Sequence, residues 1–146
     1  MLRGQFEHTT GRPFIDSRMV VPRANLKGEI SFLIDTGADT SALMPADAQR
    51  IGIDYSTLTG EREAVGTGGV SRSYTEPVLL AFSDPGKSLY IYQVEIVIPE
   101  AGPEMLRLPT LLGRDVLNRW SMSYNPSRGR LTIRVVSADF TLPVSP

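Results

Sequence analysis

Apolar and polar positions alternate along short stretches of this chain, with the period of two expected of strands that bury one face. The clearest case is Ser88–Ile98, where Val94, Ile96 and Ile98 fall on one side. With Pro77–Phe82 and the turn residues Asp84-Pro85-Gly86-Lys87 it predicts a β-hairpin. Met19–Val21 and Glu29–Ile34 read as strands bracketing a Pro-Arg-Ala-Asn connection, and Ser41–Met44 reads as a third. Two arms, Glu61–Val65 and Val70–Tyr74, flank Gly66-Thr67-Gly68-Gly69. Pro99–Pro103 reads as a loop and Leu108–Leu112 as a resumed strand. Ser121–Asn125 and Arg130–Val136, joined by Pro126-Ser127-Arg128-Gly129, predict a last hairpin. Helical signals are confined to two places. Pro45–Gly52 has proline at its first turn and glycine at its stop, and Arg114–Trp120 suits one or two turns. Thr141–Pro146, with two prolines, is expected to fray. There is no internal repeat or low-complexity block. Short strands at close spacing, with turn residues between them, predict an all-β, small closed structure with one or two short helices.

Composition narrows the function classes. At 146 residues the chain suits one domain, burying roughly 68–70% of the surface its unfolded form exposes. A formal charge of −1, from 15 basic and 16 acidic residues, gives no electrostatic case for nucleic acid or an anionic membrane, and no Lys/Arg cluster stands out. With no cysteine there is neither a disulfide framework nor a thiolate site, as suits a reducing compartment. The one histidine, His8, has no partners for a metal site or a Ser-His triad and reads as an exposed residue. No apolar run approaches the ~20 residues of a membrane helix, and Met1–His8 lacks the apolar core of a signal peptide. The expectation is a cytoplasmic, soluble protein without a metal or organic cofactor.

Chemistry concentrates in Phe32-Leu33-Ile34-Asp35-Thr36-Gly37-Ala38-Asp39-Thr40-Ser41. Three large apolar residues deliver an aspartate into a tight Thr-Gly turn. A carboxylate at the end of an apolar run is costly to bury unless its charge is shared, hydrogen-bonded or used. A second element, Leu111-Leu112-Gly113-Arg114-Asp115, follows well downstream. Asp-Thr-Gly alone is a common turn; the two elements in this order are more telling. Together they resemble the retropepsin-like aspartic proteases, with Ser41-Ala42-Leu43-Met44-Pro45 closer to cellular and bacterial members than to viral ones.

That resemblance implies a retropepsin-like closed β-barrel, one lobe per chain, and an aspartic endopeptidase activity. Peptide hydrolysis by carboxyls needs one to activate water and another to protonate the departing amine. Two carboxyls close together share a proton, an effect for which aspartic proteases are the standard example. Only one Asp-Thr-Gly is present: Asp84-Pro85-Gly86 has proline in place of the hydroxyl residue, and Asp54-Tyr55 and Asp115-Val116 do not match. The second aspartate must therefore come from a second copy, and the resemblance likewise implies a homodimer. It further implies roles for individual residues. Asp35 would be the catalytic carboxyl, Thr36 would cross-bond with its dimer mate, and Gly37 would turn the backbone and offer its carbonyl to substrate. Ala38 would leave room for the bound peptide. Asp39 would contact substrate backbone and pair bidentately with Arg114, whose planar fork suits a carboxylate. Leu112 and Gly113 would pass beside the Asp35 loop, the glycine permitting close approach. The plainer alternative for Asp39 and Arg114 is an exposed pair worth a few tenths of a kcal/mol.

Gly66, Thr67, Gly68 and Gly69 lie about thirty residues after Asp35, where a retropepsin carries a glycine-tipped flap that closes over substrate. A phosphate-binding loop is the rival reading, but Ser71–Tyr74 followed by Glu76-Pro77 offers no helix N-terminus. An ordinary flexible hairpin is the other. The resemblance runs from Glu29 to Arg119. The division expected is an N-terminal extension over 1–17, the protease domain over 18–137 and a flexible tail over 138–146. Ser121–Val136 is a candidate for a dimer sheet unlike the viral one, and Trp120 and Tyr124 for an interface or the core. Expected partners are a second copy and a peptide or protein substrate, with no nucleic acid and no membrane. The functional alternative is a non-catalytic dimerisation or peptide-binding module of the same fold; an accidental motif on an unrelated domain would predict a monomer.

Overall fold

A computed structural model describes residues 1–66, 69–100 and 102–144. In chain order these residues form β1 (Leu2–Arg3), β2 (Gln5–Phe6), β3 (Pro13–Val21), β4 (Leu26–Ile34), α1 (Pro45–Ile51), β5 (Arg62–Gly66), β6 (Gly69–Asp84), β7 (Ser88–Pro99), β8 (Leu111–Leu112), α2 (Arg114–Leu117), β9 (Trp120–Asn125), β10 (Arg130–Val135) and β11 (Phe140–Pro143). The larger sheet runs β11-β7-β6-β3-β4-β8, with β2 added to β3 and β5 to β6; the smaller runs β1-β10-β9.

Alternation builds the core. Ile15, Met19 and Val21 of β3, Ile30, Phe32 and Ile34 of β4, and Val94, Ile96 and Ile98 of β7 all point inward. Phe82 stands at the centre, edge-on to Trp120 at 4.9 Å and to Tyr92 at 5.9 Å. The buried Trp120 Nε1–H donates to Tyr92 Oη at 2.8 Å, and Tyr92 Oη donates to the Ser137 carbonyl at 2.8 Å. Burial pushes the Tyr92 phenol up from its ordinary value. Trp120 is therefore a core residue, whereas Tyr124 is 54% exposed and stacks edge-on against Phe6.

Several elements differ from their sequence readings. Ser41–Met44 is not a strand: Ala42 alone bridges, parallel to Val97 and antiparallel to Leu111. That residue joins β7 to β8 across a gap in the larger sheet and so closes the barrel. β6 runs unbroken from Gly69 to Asp84 rather than in two pieces. Pro77 is tolerated within it because β3 pairs only with Leu79–Ala81, leaving Pro77 with a single neighbouring strand, β7. Only Leu111–Leu112 of the expected Leu108–Leu112 strand is paired as strand; Pro103–Arg107 forms a 3₁₀ turn and Pro109 has no N–H to contribute.

Both ends of the chain are more integrated than expected. Leu2 is 1% exposed, β1 pairs with β10, and Gly4 N–H donates to the Leu131 carbonyl at 2.8 Å, so the first seventeen residues belong to the packed body. At the other end Phe140–Pro143 does not fray but pairs with Ile91–Ser88 of β7. Asp139 fastens it, accepting from Gln93 N–H at 2.7 Å and from Arg119 Nη1 at 2.9 Å. Residues 145 and 146 of the expected tail lie outside the described residues.

α1 begins at Pro45 and stops at Gly52, whose φ of 95° lets its N–H return to the Ala48 and Gln49 carbonyls. Glu76 sits on the core face of β6 at 1% exposure, where it is clamped by Arg23 Nε and Nη2, each at 2.8 Å. Among the described residues no helix is long and apolar enough to cross a membrane.

Candidate active site

The Asp35 loop begins where β4 meets β8. These two strands run parallel, pairing Leu33 with Leu111 and Ile34 with Leu112. Leu33 N–H donates to the Thr110 carbonyl at 2.8 Å, and Asp35 N–H to the Leu112 carbonyl at 3.0 Å. The last residue of the apolar run is thereby fixed by its backbone, which leaves the Asp35 side chain half-exposed beyond the end of the strand. Its Oδ1 accepts the Gly37 N–H at 2.9 Å, and its carbonyl accepts the Ala38 N–H at 3.2 Å. Side chain and main chain thus both close the Asp-Thr-Gly turn. Thr36 and Gly37 are exposed, and Ala38 is half-buried.

Gly113 passes directly beneath. A Cβ there would lie 2.6 Å from the Thr40 carbonyl carbon, 2.7 Å from its oxygen and 2.9 Å from the Ala38 oxygen. All three are backbone atoms, so only glycine fits. Arg114 N–H donates to the Ala38 carbonyl at 2.9 Å. Its guanidinium differs from the expected bidentate pairing. Nη1 donates to the Thr36 carbonyl at 2.8 Å, and Nη2 alone bonds Asp39 Oδ1. The fork spans the loop, holding it at two points, while the Asp39 side chain remains 84% exposed.

Two further braces carry no role in the sequence reading. Asp115 Oδ2 accepts the Ser41 N–H at 2.9 Å and Oδ1 accepts the Ser41 hydroxyl at 2.8 Å. Ser41 Oγ in turn accepts the Gly113 N–H at 3.0 Å. On the other side of Ala42, buried Thr110 donates to Asp47 Oδ2 at 2.7 Å and accepts the Met44 N–H at 3.0 Å. Asp115 lies in the second motif, and its place in the first turn of α2 was the available signal. Nothing local marks Thr110 or Asp47.

β5 and β6 form a hairpin, with Arg62 opposite Ser73 and Gly66 opposite Gly69. Thr67 and Gly68 lie outside the described residues. At the base of the hairpin Glu100 N–H donates to the Arg72 carbonyl at 2.9 Å, and Arg72 faces Glu61 and Glu63 at 3.5 and 3.6 Å. Among the described residues no cluster of His, Cys, Asp or Glu could hold a metal ion.

Comparison with known proteins gives the same picture. A retropepsin-like aspartic protease from Rickettsia conorii superposes with a TM-score of 0.57 at 20% identity, over 90% of this chain and 96% of that one. The EIAV protease complexed with the inhibitor HBY-793 superposes with a TM-score of 0.46 at 22% identity, over 77% of this chain and 90% of that one. No curated protein sequence matches. The family described as "gag-polyprotein putative aspartyl protease" matches residues 23–119, a span that takes in the Asp35 loop, the β5–β6 hairpin and the Gly113-Arg114 support. With the second motif packed beneath the Asp35 loop in this fold, the chain belongs to the retropepsin-like aspartic protease family.

Proposed function

We propose that the protein is a homodimeric aspartic endopeptidase in which two Asp35 carboxyls, one from each subunit, activate a shared water. The observation that carries this reading is the Asp35 loop itself. Its carboxylate is presented half-exposed on a loop fixed from below by Gly113 and Arg114, and the chain contains no second Asp-Thr-Gly. One carboxylate, as general base, takes a proton from the water, whose oxygen attacks the scissile carbonyl carbon. The protonated partner, as general acid, supports the carbonyl oxygen; the tetrahedral intermediate then breaks its C–N bond as the amine gains a proton.

Thr36 joins its dimer mate, and the backbone at Gly37, Ala38 and Asp39 receives an extended peptide as an added strand. The β5–β6 hairpin acts as the flap that excludes bulk water. β9 and β10 supply the dimer sheet: β9 has β10 on one side and no strand on the other among the described residues. Activity is best at mildly acidic pH, where the pair holds one proton, and needs neither metal nor organic cofactor.

The test is cleavage of a diverse peptide library between pH 4 and 7, wild type beside Asp35→Asn. Cuts that fall at least a hundredfold in the variant, with specific activity lost on dilution, support the proposal. A dimer that cuts nothing under any of these conditions would instead be a peptide-binding module of the same fold.

A further inference from the structure

The whole-chain charge of −1 conceals a segregated distribution. From Trp120 to Val136 the sequence has three arginines, Arg128, Arg130 and Arg134, and no acid; β1 adds Arg3. Taking these four charges out of the total of −1 leaves −5 on the remainder. The smaller sheet gathers three of them, and Arg128 stands in the turn between β9 and β10. Leu2, Leu131, Ile133 and Trp120 face the core, so the alternate positions face outward: Arg3 on β1, Arg130, Thr132 and Arg134 on β10, Ser121 and Ser123 on β9. Arg3 stands beside Thr132, and Ser123 stands beside it on the other side.

None of these four arginines forms an ion pair among the described residues, although seven others do. The acids that share a groove with Arg3, Asp16 and Glu29, already accept from Gln5 and Arg18. The face is thus cationic and hydroxyl-rich, with Asp16 and Glu29 confined to its Arg3 edge. Its charges are spread rather than convergent: Arg130 and Arg134 are four residues apart on one strand, about 14 Å at the rise of a strand. No small anion reaches both, whereas an extended anionic surface does.

We propose that this sheet face docks the protein peripherally on an anionic lipid surface, its arginines and hydroxyls taking lipid phosphates and carboxylates. Arginine's fork suits both groups. Two features favour lipid over nucleic acid. Among the described residues no aromatic side chain lies on the outer face, so there is no platform for base stacking. Val136 continues the outward register of β10 at 61% exposure and offers an apolar contact that a phosphate backbone would not use. The attraction is long-ranged but reversible, as expected of a short basic patch.

The experiment is co-sedimentation of the full chain with phosphatidylcholine vesicles, with and without about one-third phosphatidylserine. A single-stranded and a duplex oligonucleotide are tested at the same ionic strength. Binding is expected only to the anionic vesicles. It should fade as salt rises from about 0.1 to about 1 M and the screening length falls from roughly 10 to roughly 3 Å. Each of Arg3→Gln, Arg130→Gln and Arg134→Gln should weaken partition about fivefold, and the three together roughly a hundredfold. Lys27→Gln/Lys87→Gln, which removes two exposed charges elsewhere, should change it less than about twofold and controls for overall charge. Circular dichroism checks that each variant remains folded. Equal binding to neutral vesicles, no binding to anionic ones, or loss in the Lys27/Lys87 control equal to that in the triple variant would each overturn the proposal. Tighter binding to either oligonucleotide than to vesicles would overturn it in favour of nucleic acid. None of these outcomes depends on peptidase activity.

Discussion

Asp115 holds Ser41 by both its backbone N–H, at 2.9 Å, and its hydroxyl, at 2.8 Å. The two lie 74 positions apart in the chain, and the contact ties the turn after Asp35 to the first turn of α2. Ser41 is wholly buried, so its N–H has no access to water as an alternative partner.

Asp115→Ala is therefore expected to destabilise the protein by about 1–3 kcal/mol, the usual cost of a buried donor left unpaired. Asp115→Asn keeps an acceptor for the Ser41 N–H and should recover part of that loss. Urea unfolding of the three proteins checks the order; equal stability of wild type and the alanine variant would show that the brace contributes nothing.

Gly113→Ala places a methyl group 2.6–2.9 Å from backbone atoms of Thr40 and Ala38. Backbone cannot rotate away as a side-chain tip can, so the cost should reach about 1–3 kcal/mol. Peptidase activity should fall further than stability alone explains, because the strain is delivered to the Asp35 loop. Thermal unfolding and single-turnover cleavage of the same sample separate the two effects.

Arg114→Lys keeps the charge and loses the fork. One ammonium on a flexible stem cannot hold both the Thr36 carbonyl and Asp39 in the arginine's geometry. With the loop less well positioned, kcat should drop roughly tenfold to a hundredfold with little change in the unfolding midpoint. Steady-state kinetics beside a melting curve would decide it; unchanged kcat would remove the arginine from the positioning of the loop.

The carboxyl of Asp139 is held below its ordinary value, first by the Gln93 N–H and then by Arg119, against an opposing effect of burial. A carboxyl depressed in the folded state adds stability that is complete above its unfolded value and lost as pH falls through the folded one. The attachment of β11 should accordingly hold through the cleavage assay and weaken only at more acid pH, below the ordinary carboxylate value of 3.8. Amide exchange at Asp139 and Val144, whose N–H groups donate to the Ile91 and Lys87 carbonyls, should accelerate there. In Asp139→Asn the acid-dependent part of this change should vanish.

Tyr92→Phe leaves the buried Trp120 Nε1–H and the Ser137 carbonyl without their shared partner. A loss of about 1–3 kcal/mol is expected, measured by guanidinium unfolding with tryptophan fluorescence as the probe.

The local signals in this chain were legible because they depend on neighbours in sequence. A period of two placed Val94, Ile96 and Ile98 on the core face, and proline and glycine bounded α1. The apolar run into Asp-Thr-Gly, with Leu-Leu-Gly-Arg-Asp downstream, marked both halves of the braced loop. Tertiary structure decided what depends on distant partners. Ala42 closes the barrel as a single bridging residue, which no strand propensity marks. Arg114 divides its fork because the Thr36 carbonyl, invisible in a side-chain pattern, stands 2.8 Å from Nη1. Phe140–Pro143 forms a strand against its composition because β7 offers an edge and Asp139 a fastening. The arginines of β1 and β10 share a face only once those two strands pair. Sequence determined which residues could turn, alternate or carry charge; packing determined which of them met, since hydrogen bonds and charge fields act through space rather than along the chain.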